Sequence, residues 1–158
     1  MGNSNINTYT QLHIQFVFAV KFREAVINPV WKEDLHKYIT GVIQKKTHKM
    51  LAINAMPDHL HMLIGYRPVD HMSDMIRVVK NASKDWMNEN NLTKSKFQWQ
   101  DGFGAFSYTK KDINDVINYI KMQEQHHHKK TFLEEYALLL EEFEIEYDDR
   151  YLFKVLQD

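Results

Sequence analysis

Two histidines separated by a single residue, His59 and His61 in the stretch MPDHLHMLIGY, have side chains that can bind a metal ion. Alternate side chains of a β-strand point to the same face, so a strand here places the two imidazoles side by side. Such a pair is more often two surface histidines, and a catalytic metal site also needs a third protein ligand and an open position. The pair is therefore a candidate metal site that needs support from elsewhere in the chain.

A second segment, DVINYIKMQEQ, offers that support. Tyr119 and Gln123 are four residues apart, so on a helix they share a face. The neighbouring face is apolar, and a tyrosine beside an apolar stripe is most often a core-edge residue with its hydroxyl in water. Periodicity alone therefore does not single out Tyr119. The run at residues 126–128 is not expected to form one compact metal site, because consecutive helix positions point in different directions.

Periodic patterns predict the elements that must position these residues. Apolar residues alternate in strands and recur every three or four positions in helices. The predicted strands cover residues 9–20, 49–55, 59–66 and 97–108, the last as a strand or hairpin, and the predicted helices cover residues 29–43, 73–88, 112–127 and 131–143. In the histidine strand, Leu60 and Met62 are expected to face the core. The order of elements predicts an α+β fold with helices on one face of a sheet.

Length and composition limit the possible classes of protein. A chain of 158 residues fits one domain, 1–158, and its first eight residues are expected to be a flexible end. The absence of cysteine excludes disulfides and thiolate metal sites. No signal-peptide pattern occurs at the N-terminus, and the longest apolar stretch, 12–20, is too short to span a bilayer, so a cytoplasmic protein without a membrane partner is expected. The net charge of the chain is −1, but acidic residues concentrate after residue 133, so the part of the chain before that residue is net basic.

Four segments in a fixed order resemble the single-tyrosine HUH transposases of small bacterial insertion sequences and their REP-associated relatives. HUH stands for histidine, hydrophobic residue, histidine. The segments are FVFAVKFREAVI, MPDHLHMLI, WQDGFGAFSYT, and INYIKMQEQHH continuing into KKTFLEEY and EIEYDDRYLF. One histidine pair is a weak signal, whereas the ordered set, from residue 9 to about residue 153, is specific.

The resemblance implies a role for each candidate residue. His59, His61 and Gln123 become ligands of Mg²⁺ or Mn²⁺, and Tyr119 becomes the nucleophile. The implied fold is a ferredoxin-like (RNA-recognition-motif-like) antiparallel sheet with additional C-terminal helices. The implied assembly is a homodimer in which the tyrosine helix, the predicted helix 112–127 that carries Tyr119, can complete the partner's active site.

The expected reaction is cleavage and rejoining of single-stranded DNA at element ends, with recognition of DNA hairpins. A covalent 5′-phosphotyrosine intermediate would conserve the free energy of the cleaved phosphodiester bond, so that the strand can be rejoined without ATP. No nucleotide cofactor is therefore expected. The candidate DNA-binding residues are Lys21, Arg23, Arg77, Lys80, Lys84, Lys110 and Lys111. An ordinary solvated helix face explains the three on the second predicted helix equally well. Three aromatic residues, Trp99, Phe103 and Phe106, are candidates for base stacking or for the core.

Two alternatives remain open from the residues. The first is a non-mobile, domesticated module that binds single-stranded nucleic acid on the same fold. The second is a phosphoesterase that uses a metal-bound water and stays active when Tyr119 is replaced by phenylalanine. The sequence also leaves open which group accepts the proton of Tyr119, and whether Tyr119 faces the histidines of its own chain or of a second copy.

Overall fold

The structure, a computed structural model, describes residues 8–126 and 130–148. The elements are β1 (His13–Ala19), α1 (Pro29–Lys45), β2 (Lys49–Met56), β3 (His59–Gly65), α2 (Met72–Glu89), β4 (Gly104–Tyr108), α3 (Ile113–Lys121), α4 (Gln123–His126) and α5 (Phe132–Glu142). The expectations for residues 1–7 and for the histidines at 127 and 128 lie outside the described residues. Among the described residues, no helix is long and apolar enough to cross a membrane.

The four strands form one antiparallel sheet in the order β2-β3-β1-β4. With one helix after β1 and one after β3, this is the predicted ferredoxin-like fold, and the prediction is confirmed. The histidine strand β3 is central, and its register with β1 pairs Val17 with His61 and Ala19 with His59. The histidines therefore lie in the middle of the sheet.

One face of the sheet forms the main core beneath α1 and α2. Phe16, Phe18, Leu60 and Met62 are buried there, as the strand alternation predicts. Each such side chain contributes roughly 1.5–3 kcal/mol on burial. α1 starts as its sequence predicts, because the Asn28 side chain accepts a hydrogen bond from the Val30 amide and proline occupies the first turn.

The C-terminal helices cover the opposite face of the sheet. α5 packs on Val17, Ala19 and Phe106, whereas α3 packs on Ala52 and Leu63. The end of α3 is also tied to the sheet by a hydrogen bond, since the Asn54 side chain donates to the Ile120 carbonyl over 2.9 Å. Phe132, Leu139 and Leu140 of α5 thus pack on the chain's own sheet.

Two predicted elements differ from the structure. The single helix predicted over residues 112–127 is divided at Met122, which has φ −97° and ψ 19°. The strand predicted over 97–108 is regular only in β4, and its earlier part contributes an isolated bridge from Trp99 to Val20. Trp99 and Phe106 are buried in the cores and Phe103 packs against one of them, so their packing role is the one observed.

Candidate active site

Both histidines of β3 are fully buried on the face covered by α5. Each is held at its Nδ1 atom. The Asp58 Oδ1 atom lies 2.6 Å from His59 Nδ1, and the Gln15 Oε1 atom lies 2.7 Å from His61 Nδ1. With the Nδ1 atoms held in this way, the Nε2 atom of each ring faces α5.

The group that α5 presents to these Nε2 atoms is the buried carboxylate of Glu135. Its Oε1 atom lies 2.9 Å from His61 Nε2 and 3.8 Å from His59 Nε2. The ligand atoms of the three residues all lie within 4.8 Å of one another. Two imidazole nitrogens and a carboxylate oxygen at this separation are a donor set for one divalent cation.

The hydrogen bonding of His61 tests whether a cation fits this position. A neutral imidazole has a single N–H. Both ring nitrogens of His61 nevertheless face an oxygen, from Gln15 on one side and from Glu135 on the other. If Nδ1 donates to Gln15, the Nε2 lone pair faces the Glu135 carboxylate, and the two groups would hold a cation together. The residues present therefore fit a metal ion.

Tyr119 lies against the same carboxylate. Its hydroxyl donates to Glu135 Oε2, and its ring meets the ring of His61 edge-on, with the centroids 6.0 Å apart. Burial raises the pKa of Tyr119, and the negative charge of Glu135 raises it further, while a hydrogen bond with Gln123 lowers it. Glu135 therefore contacts the predicted nucleophile with one oxygen and the histidine pair with the other, all within one chain.

Gln123, the third ligand implied by the resemblance, is the first residue of α4 and is fully buried. Its Nε2 atom lies 3.3 Å from the Tyr119 carbonyl oxygen, to which it donates. Its role as a metal ligand stays a prediction. Glu135 was missed by the sequence reasoning, and its only signal there is the acidic pair of LEEY near the start of a predicted helix.

The position of α5, and hence of Glu135, depends on close packing around the histidines. Thr131 caps the helix by accepting a hydrogen bond from the Glu134 amide. The Phe132 ring stacks on His59 with centroids 4.1 Å apart, and Tyr136 stacks on Phe132. Tyr136 also lies directly over Gly104 of β4, where an added Cβ would be 2.7 Å from the tyrosine hydroxyl oxygen.

Comparison with known proteins identifies the family of this chain. The family model described as "Transposase IS200 like" matches residues 8–123, from β1 through the tyrosine helix to Gln123. The chain belongs to the IS200-like transposase family.

Individual relatives are distant. The ISDra2 transposase TnpA of Deinococcus radiodurans is 25% identical over 73 residues, which are 46% of this chain and 52% of that protein. The chain thus spans about half the length of this curated relative. A crystal structure of a proposed transposase from Deinococcus radiodurans R1 superposes with a TM-score of 0.60 and 19% identity, covering 78% of this chain and 98% of that one. A REP-associated tyrosine transposase bound to a REP hairpin gives a TM-score of 0.58 and 18% identity, covering 80% and 74%. At these identities the two structures show the fold.

The surface around the site of this IS200-like transposase is polarised. A cavity of about 920 Å³ between α3 and α5 reaches Tyr119, and its lining contains the carboxylates of Asp112, Asp115, Glu135 and Glu142. On the other side of the molecule, a groove of about 450 Å³ along α2 is lined by the cations Arg77, Lys80, Lys84 and Lys96. A smaller pocket of about 280 Å³ adjoins the site at Phe132 and contains Arg23. The pocket and the groove share the segment 100–103.

The predicted DNA-binding residues divide among these surfaces. Arg77, Lys80 and Lys84 line the basic groove, although the Lys80 ammonium also donates to the Gln100 and Gly102 carbonyls and so holds the segment 100–103. Lys21 is hydrogen-bonded to Gln98 beside the groove, and Arg23 lines the pocket next to the site. Lys110 and Lys111 are exposed in the turn before α3.

Proposed function

We propose that this chain cleaves and rejoins single-stranded DNA at the ends of a mobile element, through a covalent 5′-phosphotyrosine on Tyr119. The observation that carries the proposal is the shared carboxylate. Glu135 contacts the hydroxyl of Tyr119 with one oxygen and His61 with the other. Membership of the IS200-like transposase family supports the same reaction.

The residues that would hold the metal ion are His59, His61 and Glu135. Imidazole nitrogen suits Mn²⁺ better than Mg²⁺, which prefers oxygen ligands, and both are expected to bind. When bound, the ion would supply Lewis-acid chemistry, which polarises a phosphate oxygen and neutralises charge that develops there. A cation beside Glu135 would also offset the carboxylate charge that raises the pKa of Tyr119.

The chemical step follows from the contacts of Tyr119. The phenol oxygen attacks the phosphorus, its proton passes to Glu135 Oε2, and the bond to the 3′ oxygen breaks. The departing 3′ oxygen takes up the proton held by Glu135, so no proton is gained or lost overall and one phosphodiester replaces another. In the reverse reaction a 3′ hydroxyl attacks the phosphotyrosine and releases Tyr119. This attack rejoins the strand without ATP.

The charge distribution supports a path for the DNA strand. The cations of the groove along α2 attract a phosphate backbone, whereas the cavity at Tyr119 contains four carboxylates and one lysine, Lys130, and favours only a short stretch of strand at the nucleophile. From the site, the strand would pass the pocket that contains Arg23 and cross the segment 100–103 to the groove along α2. A hairpin end is the proposed substrate, since one structural neighbour is a REP-associated transposase bound to a REP hairpin.

The contacts of Tyr119 also support a site that is complete within one chain. Three contacts join α3 and α4 to other elements of the same chain. Tyr119 donates to Glu135 of α5, Asn54 of β2 donates to the end of α3, and Lys32 of α1 forms an ion pair of 2.5 Å with Glu124 of α4. The homodimer stays a prediction. In such a dimer, each subunit would carry its own nucleophile and its own histidines.

The proposal is tested by incubating the protein with labelled single-stranded element ends and Mn²⁺, and by looking for a denaturation-resistant protein–DNA adduct. We expect the adduct with the wild-type protein and none with Tyr119→Phe. Tyr38→Phe is the matched control, because Tyr38 stacks on Trp86 on the opposite face of the sheet. An adduct that survives in Tyr119→Phe overturns the proposal.

The other outcomes identify the alternatives. Cleavage that persists in Tyr119→Phe but is lost in His61→Ala indicates a metal-bound water as the nucleophile. Strand binding without metal-dependent cleavage of any cognate end indicates a domesticated binding module on the same fold.

A further inference from the structure

A polar side chain is buried in the middle of the apolar strand β1. Gln15 is 0% exposed and has Ile14 and Phe16 as neighbours in the strand, yet it faces the same side of the sheet as the histidines. A buried amide costs roughly 1–3 kcal/mol unless its hydrogen bonds are made. Gln15 makes them at both ends. Its Oε1 atom lies 2.7 Å from His61 Nδ1, and its Nε2 atom donates to the Tyr108 hydroxyl over 2.7 Å.

The orientation of this amide determines which nitrogen of His61 can bind a cation. With Oε1 toward His61, the imidazole carries its proton on Nδ1, and the Nε2 lone pair faces Glu135. With the amide reversed, its NH₂ group would face Nδ1, the proton would move to Nε2, and the lone pair would face away from the site. Only the first arrangement gives His61 a metal-binding atom at the position where His59 and Glu135 meet.

The two histidines use different anchors. His59 is held by the carboxyl group of Asp58, the residue directly before it in the turn between β2 and β3. His61 is held by a neutral amide from the adjacent strand, and that amide is itself held by Tyr108 of β4. The Tyr108 hydroxyl oxygen accepts the hydrogen bond from the Gln15 amide, and desolvation raises the pKa of Tyr108 to about 12, so this contact is between two neutral groups.

We infer that Gln15 is a positioning residue of the metal site, which holds His61 with Nε2 toward the cation, and that Tyr108 acts through Gln15 by fixing the amide. The inference rests on the proposed metal site. It assigns a function to Gln15 and Tyr108. In the proposed reaction neither residue contacts the scissile phosphate, and neither is the nucleophile.

The test compares two substitutions of equal length, Gln15→Met and Gln15→Glu, by titrating each full-length protein with Mn²⁺ in a calorimeter. Methionine cannot accept the His61 hydrogen, so we expect Mn²⁺ affinity to fall about 10–100-fold, the usual effect of losing a residue that supports a ligand. Glutamate still accepts that hydrogen and can accept one from Tyr108, so we expect affinity at or above that of the wild type.

Thermal unfolding without metal separates positioning from a structural role. An apolar methionine suits a buried site better than a buried carboxylate does, so the Gln15→Met protein should be at least as stable as the Gln15→Glu protein. Metal affinity should rank in the opposite order. Ser83→Ala is the control, because Ser83 is a buried polar residue on the other face of the sheet, where it accepts a hydrogen bond from Trp99. It should lower stability and leave Mn²⁺ affinity unchanged.

A double-mutant cycle tests the place of Tyr108. Tyr108→Phe alone should weaken Mn²⁺ binding, and adding it to Gln15→Met should weaken binding no further, because the same contact is already lost. Additive losses overturn the role of Tyr108, and wild-type affinity in Gln15→Met overturns the inference for Gln15. If His61→Ala also binds Mn²⁺ like the wild type, the proposed metal site itself is wrong.

Discussion

At the scale of single residues, the two oxygens of the Glu135 carboxylate make different contacts. Oε1 lies near the Nε2 atoms of both histidines, where a metal ligand would be. Oε2 accepts a hydrogen bond from the Tyr119 hydroxyl. In the proposed reaction, a group that is both metal ligand and proton acceptor would keep Tyr119 close to a phosphate bound at the metal site. The sequence left the proton acceptor of Tyr119 open, and the structure supplies a candidate.

Replacing Glu135 by glutamine should separate the charge of this group from its shape. Glu135→Gln keeps the volume and a hydrogen bond with Tyr119, but a neutral amide binds a divalent cation less well than a carboxylate. We expect Mn²⁺ affinity, measured by calorimetry, to fall at least about tenfold, or ~1.4 kcal/mol. Glu134→Gln is the control, since Glu134 is exposed on the same helix. Unchanged affinity in Glu135→Gln, with loss in Gln123→Ala, would make Gln123 the third ligand.

The candidate metal ligands differ in how far a sequence can reveal them. His59 and His61 share a strand, so their common face follows from strand periodicity alone. Glu135 follows His61 by 74 positions and belongs to an acidic helix on which several glutamates have the same local pattern. Only the docking of α5 on the sheet distinguishes Glu135 from its neighbours. Gln15 is a similar case, because its contact with His61 depends on the register of β1 with β3.

At the scale of elements, the seating of α5 depends on a missing side chain in β4. Gly104 lies under Tyr136, and an added Cβ would meet the ring 2.8 Å away. Gly104→Ala should therefore push α5 outward and destabilise the fold by about 1–3 kcal/mol, measured by urea unfolding. Mn²⁺ affinity should fall with it, because Glu135 moves with the helix.

Gly41 of α1 provides the matched control for this substitution. A Cβ at Gly41 meets nothing within 4 Å, so Gly41→Ala should stabilise the helix by about 0.5–1 kcal/mol and leave Mn²⁺ binding unchanged. A Gly104→Ala protein as stable as the wild type, with normal Mn²⁺ affinity, would show that the Gly104–Tyr136 contact does not seat α5.

The contact between α1 and β2 gives the fold a dependence on pH. His36 Nε2 accepts the Ala55 backbone N–H over 2.8 Å, which requires a neutral imidazole. Burial lowers the pKa of His36, although Glu33 opposes the shift. The unfolded chain therefore binds more protons than the folded one below about pH 6.5, and stability is lost as the pH falls from there.

Urea unfolding at a series of pH values between about 7.5 and 5 measures this effect. We expect the free energy of unfolding to fall toward acid in the wild type, and to fall less in His36→Gln, whose amide accepts the same hydrogen bond at every pH. His48 is also buried with a lowered pKa and leaves a residual slope. Equal slopes in the two proteins would mean that His36 does not contribute.

The elements differ in how well local pattern predicts them. α1 and α2 follow from the spacing of their apolar residues because each packs one stripe on the sheet. The break at Met122 has no comparable signal, since 112–127 reads as continuously helical. The irregular segment 97–103 is likewise set by a distant partner, because the Lys80 ammonium holds the Gln100 and Gly102 carbonyls.

At the scale of the whole molecule, a net charge of −1 conceals an acidic cavity that reaches Tyr119 and a basic groove along α2. We expect the double substitution Lys84→Glu and Lys96→Glu to weaken binding of single-stranded DNA, measured by fluorescence anisotropy in Tyr119→Phe protein. Losing two phosphate contacts should also reduce the slope of log K against log salt by about 1.4. Lys37→Glu with Lys45→Glu on exposed α1 is the charge-matched control, and an equal loss there would show that binding follows net charge alone.

Whether one chain forms a complete site has a consequence that mixing can measure. Tyr119→Phe lacks the nucleophile and His61→Ala lacks a ligand, so each protein alone should form no adduct. In the structure Tyr119 reaches Glu135, and Glu135 reaches His61, within one chain. A mixture of the two proteins, unfolded and refolded together so that any subunits exchange, should therefore stay inactive. If the tyrosine helix instead completed the partner's site, half of the dimers would be mixed and each would hold one intact site, which restores about a quarter of wild-type activity. That restoration would contradict assembly within one chain and would leave the roles of Tyr119 and His61 intact.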